Sequence, residues 1–477
     1  MTALNLEDEP HPLGISAATG RPISGFSDDL LNGLLGRQQD SELLTLSLSM
    51  RADSTGYFGV MGGFNPQKLE EVGWGVIIPP GIEPEFKAAL QPLIELRESV
   101  AKPMRMFEGD DAPFVGEAAE DWLKRHKVRM ETVNPMRGIP YYILIVAPPE
   151  LISFEFQYSL DLFWAVGRVW FDKAEDFAMY AESVRRYEMS DIVSTTRNVA
   201  IFSTQHDFDQ ATQLFMKQVA KPMIDGEVGI AAPLGKNQNF GVQTYLRDDA
   251  SKATLESILR GSLGGVPSVL FTGTHGMQFE PEDDRQRTLQ GAIVCQDWQG
   301  YGSITEKHWF SGADVPGDAK CHGLFHVLFA CHGGGCTEFD DFDQLNDEPR
   351  KIAKTSLLAS LPKALLSHKN GGALAVLAHV ERAWAYSFQD QNGGSQTDGL
   401  RDVVARLLSG ERIGQATDSF NLRWAAIATQ LSDRQLDMQR NVKFPPRLLS
   451  KLWIARNDAR NFIIIGDPAV RLKVERI

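Results

Sequence analysis

Cysteine is scarce in this sequence, and long apolar runs are absent. The 477 residues contain four cysteines, all between positions 295 and 336, which is too few for a disulfide framework. No uninterrupted apolar stretch reaches the roughly 18 residues that cross a bilayer. The first 14 residues, MTALNLEDEPHPLG, lack the apolar core of a signal peptide. We therefore expect a cytoplasmic protein with reduced thiols and no membrane attachment.

Basic charge is also in deficit. Lys and Arg total 48 against 62 Asp and Glu, which gives a formal net charge of -14. A negative surface repels phosphates, so this balance argues against nucleic acid as a partner. The chain also lacks a GxGxxG motif after a strand, and Gly333–Gly335 is not followed by the Lys-Ser/Thr of a P-loop. These absences argue against a nucleotide-binding α/β protein.

Apolar runs alternate with amphipathic helical patterns along the chain. GWGVIIPP (Gly73–Pro80) and YYILIVAPP (Tyr141–Pro149) are typical of buried strands, whereas RKIAKTSLLASLPKALLS (Arg350–Ser367) is typical of a helix. Strands buried on both faces and separated by helices predict an α/β fold with a mainly parallel sheet. The polar segment Met189–Asn198 resembles a linker.

This pattern predicts two α/β subdomains in series. The first covers residues 71–190 and the second covers residues 196–477. Residues 1–70 form an N-terminal extension to which the sequence assigns no function.

Two of the predicted strands end in residues that carry chemistry. In PSVLFTGTHG the strand leads into His275 and Gly276, and in GLFHVLFACHGGG a second strand ends at Cys331. Because the carboxyl ends of parallel strands share one sheet edge, we expect the thiol and the imidazole to meet there. An imidazole lowers the pKa of a nearby thiol and makes it a nucleophile. The backbone N–H groups of Gly276 and Cys331 are candidates for an oxyanion hole.

The order of these motifs resembles the caspase-like (clan CD) cysteine peptidases, in particular their gingipain-like and CHAT-type bacterial members. LQGAIVCQDW (Leu289–Trp298), GGALAVLAHVERAWAYSF (Gly371–Phe388) and IIIGDPAVRL (Ile463–Leu472) extend the resemblance. It covers residues 196–472 and, more weakly, residues 73–190. The resemblance implies a caspase-like three-layer sandwich.

The resemblance also implies a cysteine endopeptidase with His275 as acid–base, Cys331 as nucleophile and Gly276 as oxyanion donor. Such an enzyme needs no metal or organic cofactor, and its partners are a protein or peptide substrate and a candidate regulatory protein. The missing secretion signal favours an intracellular, regulated protease. Bacterial antiviral defence or cell death is a setting by analogy only.

Some gingipain-type enzymes orient the histidine with an acidic residue from the first subdomain. Asp161 and Glu155, which precede a predicted turn at 166–168, are the candidates here.

A further group of residues follows the strands of the second unit and is a candidate for the substrate cleft. The acidic run EFDDFD (Glu338–Asp343) would favour Lys or Arg as the P1 residue, the residue whose carbonyl is attacked, unless it is a solvated face. The candidates are His332, Asp340, Asp341, His379, Glu381 and Trp384.

Other interpretations compete with proteolysis. A zinc site built from Cys331, Cys336, His326 and His332 lacks a second matched pair of ligands. A non-catalytic caspase-like scaffold or sensor module would keep the fold without the chemistry. A latent protease activated by a partner lies between the scaffold and the active enzyme.

Overall fold

The computed structural model describes most of the chain. The described residues are 12–23, 59–300, 303–342, 350–388, 397–442, 444 and 446–477. Of the predicted N-terminal extension, residues 1–11 and 24–58 therefore lie outside the described part. Among the described residues, no helix is long and apolar enough to cross a membrane.

The described residues form sixteen strands. In chain order the strands are β1 Gly14–Ser16, β2 Trp74–Ile78, β3 Met104–Glu108, β4 Tyr142–Val146, β5 Ala165–Val169, β6 Thr196–Ser203, β7 Gly241–Leu246, β8 Pro267–Gly273, β9 Gly276–Gln278, β10 Ile293–Val294, β11 Trp309–Phe310, β12 Phe325–Phe329, β13 Gly335–Cys336, β14 Leu357–Leu358, β15 Ala375–His379 and β16 Phe462–Gly466.

The same part of the chain contains fifteen α-helices. They are α1 Leu69–Val72, α2 Pro84–Ala89, α3 Gln91–Val100, α4 Ala119–Arg125, α5 Phe154–Asp161, α6 Ala174–Met189, α7 Gln210–Phe215, α8 Lys221–Asp225, α9 Lys252–Arg260, α10 Gln286–Leu289, α11 Ser360–Leu366, α12 Asp398–Leu408, α13 Ile413–Ala416, α14 Asp418–Gln439 and α15 Pro446–Arg460.

Ten of the strands form one sheet in the order β3-β2-β4-β5-β16-β15-β12-β8-β6-β7. Every pairing in it is parallel except that of β15 with β16. All residues of β2, β4, β5, β8, β12, β15 and β16 are buried. Such strands need cover on both faces, which confirms the three-layer α/β sandwich with a mainly parallel sheet.

The last strand joins the two halves of the chain. β16 runs parallel to β5 of the first half and antiparallel to β15 of the second. The strands of the two predicted units therefore run in opposite directions within one continuous sheet. The predicted boundary between the two subdomains falls between α6 and β6. β16 pairs with a strand from each of these subdomains, so both contribute to the same sheet.

Two local predictions were wrong. Residues 166–168 lie within β5 rather than in a turn. In the predicted helix Arg350–Ser367, only α11 is helical, and Leu357 and Leu358 pair with Cys336 and Gly335 instead. The strand forms there because the backbone of β13, just after the loop that carries Cys331, offers hydrogen-bonding partners that helical periodicity cannot reveal.

A buried ion pair fastens the end of β16 to the first half. Asp467 follows β16 and accepts hydrogen bonds from Nε of Arg97 on α3 at 2.7 Å and from Nε1 of Trp74 on β2 at 2.9 Å. Both members of the ion pair are fully buried, and Arg97 also contacts Glu188. Removing one member leaves the other charged and buried, which is strongly destabilising.

We expect Arg97→Met to lower the free energy of unfolding by about 3–5 kcal/mol, because Asp467 would lose its cation. Urea unfolding followed by circular dichroism measures the change. Arg105→Met on β3, where the arginine is exposed, is the matched control and should change stability by less than about 0.5 kcal/mol. Equal losses in the two variants would contradict this role of the ion pair.

Candidate functional site

The histidine predicted from the sequence lies where β8 passes into β9. β8 ends at Gly273, and His275 follows after Thr274, whose hydroxyl accepts a hydrogen bond from Oγ1 of Thr204 at 2.8 Å. The carbonyl of His275 accepts a hydrogen bond from the N–H of Val294 at 2.8 Å. These backbone and side-chain contacts fix the imidazole, which is fully buried.

Asp209, which the sequence analysis did not select, is the acid that contacts this histidine. Its Oδ2 lies 2.8 Å from Nε2 of His275. The same carboxylate caps α7 by accepting the backbone N–H groups of Thr212 and Ala211. Burial by itself raises the pKa of Asp209, but His275 and Thr212 more than offset it and hold the pKa well below 3.8. The carboxylate is therefore ionised and faces the imidazole.

The acids predicted for this role lie elsewhere. Asp161 accepts the N–H of Val166 at the start of β5, and Glu155 lies 3.7 Å from Arg460. β5 is four strands from β8 in the sheet, roughly 19 Å at about 4.8 Å per strand. β6, by contrast, is the immediate neighbour of β8, so the loop after β6 brings Asp209 to the histidine. The assignment of Asp161 and Glu155 was therefore wrong.

The nucleophile candidate follows the neighbouring strand in matching register. β12 pairs with β8 so that Phe329 lies opposite Gly273, and two residues further along each strand come Cys331 and His275. Cys331 is fully buried, and its sulfur accepts the N–H of Ala383 at 3.2 Å. Burial raises the pKa of the Cys331 thiol, so the thiol is protonated in this arrangement.

The two predicted oxyanion donors converge on one oxygen atom. The N–H groups of Gly276 and Cys331 both donate to the carbonyl oxygen of Leu13, at 2.9 and 3.0 Å. Gly276 packs directly on the backbone of Cys331, where a Cβ would stand only 3.0 Å from the Cys331 nitrogen and closer still to its carbonyl. A side chain at position 276 would therefore separate the two donors.

Buried ion pairs form one wall of the site, after β15. Glu381 has a positive φ of 64°, receives the N–H of Asp341 at 2.8 Å and pairs with Nε of Arg382 at 3.0 Å. Arg382 also pairs with Asp340, and Arg460 pairs with Asp341 at 3.2 Å. Asp340 and Asp341, the two residues of the acidic run that were considered for binding a basic P1 residue, are therefore engaged with the protein's own arginines.

The remaining candidates for the substrate cleft are Trp384, His379 and His332. Trp384 lies along the site, because its backbone bridges to that of Pro12 in antiparallel fashion. His379 is engaged with the backbone of α15, since its Nε2 lies 2.9 Å from the carbonyl oxygen of Asp458. His332 is buried at a positive φ of 57°, and burial lowers its pKa to about 3. Trp384 is thus the cleft candidate whose backbone lines the site.

The four side chains considered for zinc do not gather. Among the residues that the structure describes, no group of three or more His, Cys, Asp or Glu side chains is placed to hold a metal ion. Nε2 of His326 instead lies 2.9 Å from Oγ1 of Thr272.

Comparison with known proteins now defines the class. The model of peptidase family C25 matches residues 152–473, which is more than half of the chain. The protein is thus a caspase-like cysteine peptidase, a hydrolase of peptide bonds. It belongs to peptidase family C25, the gingipain family.

Solved structures of this group resemble the chain at low identity. The Arg-specific cysteine proteinase gingipain R (RgpB) is 12% identical, with 88% of this chain and 81% of that chain covered and a TM-score of 0.48. The complex of the Porphyromonas gingivalis RgpB pro- and mature domains is 11% identical, with 84% and 80% covered and a TM-score of 0.46. The Saccharomyces cerevisiae separase–securin complex is 10% identical, with 72% and 17% covered and a TM-score of 0.28. Curated protein sequences give no significant match.

The depressed pKa of Asp209 makes stability depend on pH. Unfolded chains protonate this carboxylate near pH 3.8, whereas the folded protein protonates it only at lower pH. The stabilisation is therefore present above about pH 5 and is lost as the pH falls through and below 4. We expect the difference in free energy of unfolding between the wild type and Asp209→Asn to shrink from pH 7 to pH 3.

Urea unfolding at pH 7, 5, 4 and 3 measures this difference. Asp248→Asn, at an exposed aspartate, is the control and should track the wild type at every pH. A difference between the wild type and Asp209→Asn that stays constant over this range would contradict the ionised carboxylate.

Proposed function

We propose that this peptidase is an endopeptidase in which Cys331 is the nucleophile, His275 the acid–base and Asp209 the group that positions His275. The observation that carries the proposal is the convergence of the Gly276 and Cys331 N–H groups on one carbonyl oxygen beside a thiol. Two backbone donors aimed at one point stabilise an oxyanion, and removing one such donor typically costs about 3–4 kcal/mol. The register that places Cys331 and His275 two residues beyond the paired ends of neighbouring strands supports the same assignment.

The direction of proton transfer follows from the tautomer of His275 that Asp209 favours. Its carboxylate accepts Nε2–H of His275, which leaves the lone pair of Nδ1 for the thiol. Among the described residues, Nδ1 has no hydrogen-bond partner. Nδ1 takes the proton of Cys331 as the sulfur attacks the substrate carbonyl carbon.

The bond changes balance in two stages. The C–S bond forms while the carbonyl oxygen, held by the two N–H groups, carries the negative charge. The C–N bond then breaks, and Nδ1–H gives its proton to the leaving amine. Nδ1 then deprotonates a water molecule, whose oxygen forms a C–O bond with the thioester carbon. The C–S bond breaks, Nδ1–H returns its proton to the sulfur, and the carboxylic acid product gives its proton to solvent.

The cytoplasmic location, the regulation inside the cell and the role in bacterial defence or cell death stay predictions from the sequence. A latent form is favoured by one observation. The thiol of Cys331 is fully buried, and the carbonyl of Leu13 occupies both N–H donors.

We expect Cys331→Ala to reduce hydrolysis of a peptide library by at least about a thousand-fold, because the nucleophile would be gone. Liquid chromatography with mass spectrometry measures the cleaved products. Cys321→Ala removes another buried thiol and is the matched control, with activity near that of the wild type. Hydrolysis by Cys331→Ala at the rate of the wild type would contradict the assignment of Cys331 as the nucleophile.

We expect Asp209→Asn to lower kcat by about 10²–10⁴ with little change in KM, because an amide no longer selects the required tautomer of His275. Steady-state kinetics from pH 5 to pH 9 separates the two constants, and Asp209→Glu should recover part of kcat. A rise in KM at unchanged kcat would show that Asp209 acts on substrate binding instead.

A further inference from the structure

Residues 12–16 of the chain lie across the proposed site. The N–H of Leu13 donates to the carbonyl of Ala383 at 2.8 Å, and Pro12 pairs in antiparallel fashion with Trp384. On the other side of the thiol, β1 pairs in parallel with β9. The segment therefore crosses the site in an extended conformation and adds backbone hydrogen bonds on both sides, as extended peptides do in β-augmentation.

The Leu13–Gly14 peptide bond lies at the nucleophile. The carbonyl oxygen of Leu13 is the atom on which the Gly276 and Cys331 N–H groups converge. A Cβ placed on Gly14 would stand 3.0 Å from Sγ of Cys331 and would collide with the side chain of Ile23. The close approach of the backbone to the thiol therefore requires glycine here. Leu13 thus holds the position of a P1 residue.

The residue in the P1 position is apolar and fully buried. Leu13 belongs to the main hydrophobic cluster and has no exposed surface. Besides burial, which raises the pKa of Cys331, the charged groups with the largest influence include Arg382, which lowers that pKa, and Glu381 and Asp458, which raise it. All three have partners, since Arg382 pairs with Glu381, and Asp458 accepts the N–H of Trp384 at 2.8 Å. The carboxylates named here therefore have partners already, and a cation buried in place of the Leu13 side chain would lose its hydration.

A hairpin anchors this segment beyond the thiol. The chain turns after Ser16, and the N–H of Ile23 returns to the carbonyl of Gly14 at 2.9 Å. Ile15 is fully buried in a second apolar cluster with Met277 and Trp298. The segment is thus held by packing at one end and by the site itself at the other.

We propose that the peptidase accepts leucine as its P1 residue and that residues 12–16 keep the site closed by binding there as a substrate does. This inference rests on the proposed function for its P1 assignment. Sγ of Cys331 becomes reachable when the segment leaves. Any change that weakens the fit of Leu13 opens the site, and any change that improves it closes the site further.

The first test measures alkylation of Cys331 by iodoacetamide, with peptide mapping by mass spectrometry. Leu13→Arg should raise the rate at least about tenfold, because the position is apolar and fully buried and a guanidinium placed there would lose its hydration. Leu13→Met, of similar volume, should stay within about twofold of the wild type. A slower or unchanged rate in Leu13→Arg would mean that the position suits a basic residue and would overturn the inference.

Gly14→Val is the second variant, because its side chain would strike Cys331 and Ile23 and displace the segment. We expect alkylation of Cys331 to rise at least about tenfold, as for Leu13→Arg. Thr19→Val, at an exposed position of the hairpin turn, is the matched control and should behave as the wild type. The buried Cys295, Cys321 and Cys336 report on unfolding, since a variant that merely unfolds labels all four thiols. Unchanged labelling in a folded Gly14→Val would overturn the closure.

The final test uses the Gly14→Val chain and the peptides acetyl-Pro-Xaa-Gly-Ile-Ser-amide, with Leu, Arg or Lys at Xaa. We expect kcat/KM for Leu to exceed that for Arg or Lys at least about tenfold. A preference for Arg or Lys would overturn the inference while the proposed peptidase function stands. If Cys331 becomes labelled but neither these peptides nor a broad library is hydrolysed, the proposed function fails instead.

Discussion

The parallel pairing of β8 with β12 is the constraint on which the site depends. β8 ends two residues before His275, and β12 ends two residues before Cys331. The pairing of Gly273 with Phe329 therefore brings the imidazole and the thiol to the same level of the sheet edge. A slip of one residue would turn one side chain to the opposite face, because side chains alternate along a strand. Since both strands are buried on both faces, such a slip would also disrupt the packing of their side chains against the layers that cover them, so packing of the core fixes the register that the site requires.

The same sheet edge gathers the other parts of the site. The loop after β6 brings Asp209, and the loop after β15 brings Ala383 and Trp384, because β6 and β15 flank the central pair β8–β12. The first half of the chain joins this sheet through β16, which reverses the strand direction at its pairing with β15. Its strands consequently carry their carboxyl ends to the opposite edge. The first half therefore completes the core without supplying the acid that faces His275.

Sequence reasoning selected His275, Gly276 and Cys331 because each follows a buried strand and carries a chemistry that apolar patterns do not explain. It could have found Asp209 by the same rule, since Asp209 lies between strand β6 and helix α7. The rule failed there because a helix-capping aspartate has an ordinary structural explanation. It placed the acid in the first unit because the resemblance to gingipain-type enzymes implied one there. Nothing in one sequence reveals that the strand directions of the two halves are opposed, so that expectation had no check.

The sequence by itself determined the α/β class, the alternation of buried strands with helices over most of the chain, and the two strand ends that bear the thiol and the imidazole. These features are local, because periodicity and turn residues act over a few neighbours along the chain. Only the tertiary structure decided the place of β16 in the sheet, the partner of His275 and the position of Leu13 against the oxyanion donors. Those contacts join residues from 66 to more than 300 positions apart, and their formation depends on which strands pair, which no local pattern encodes.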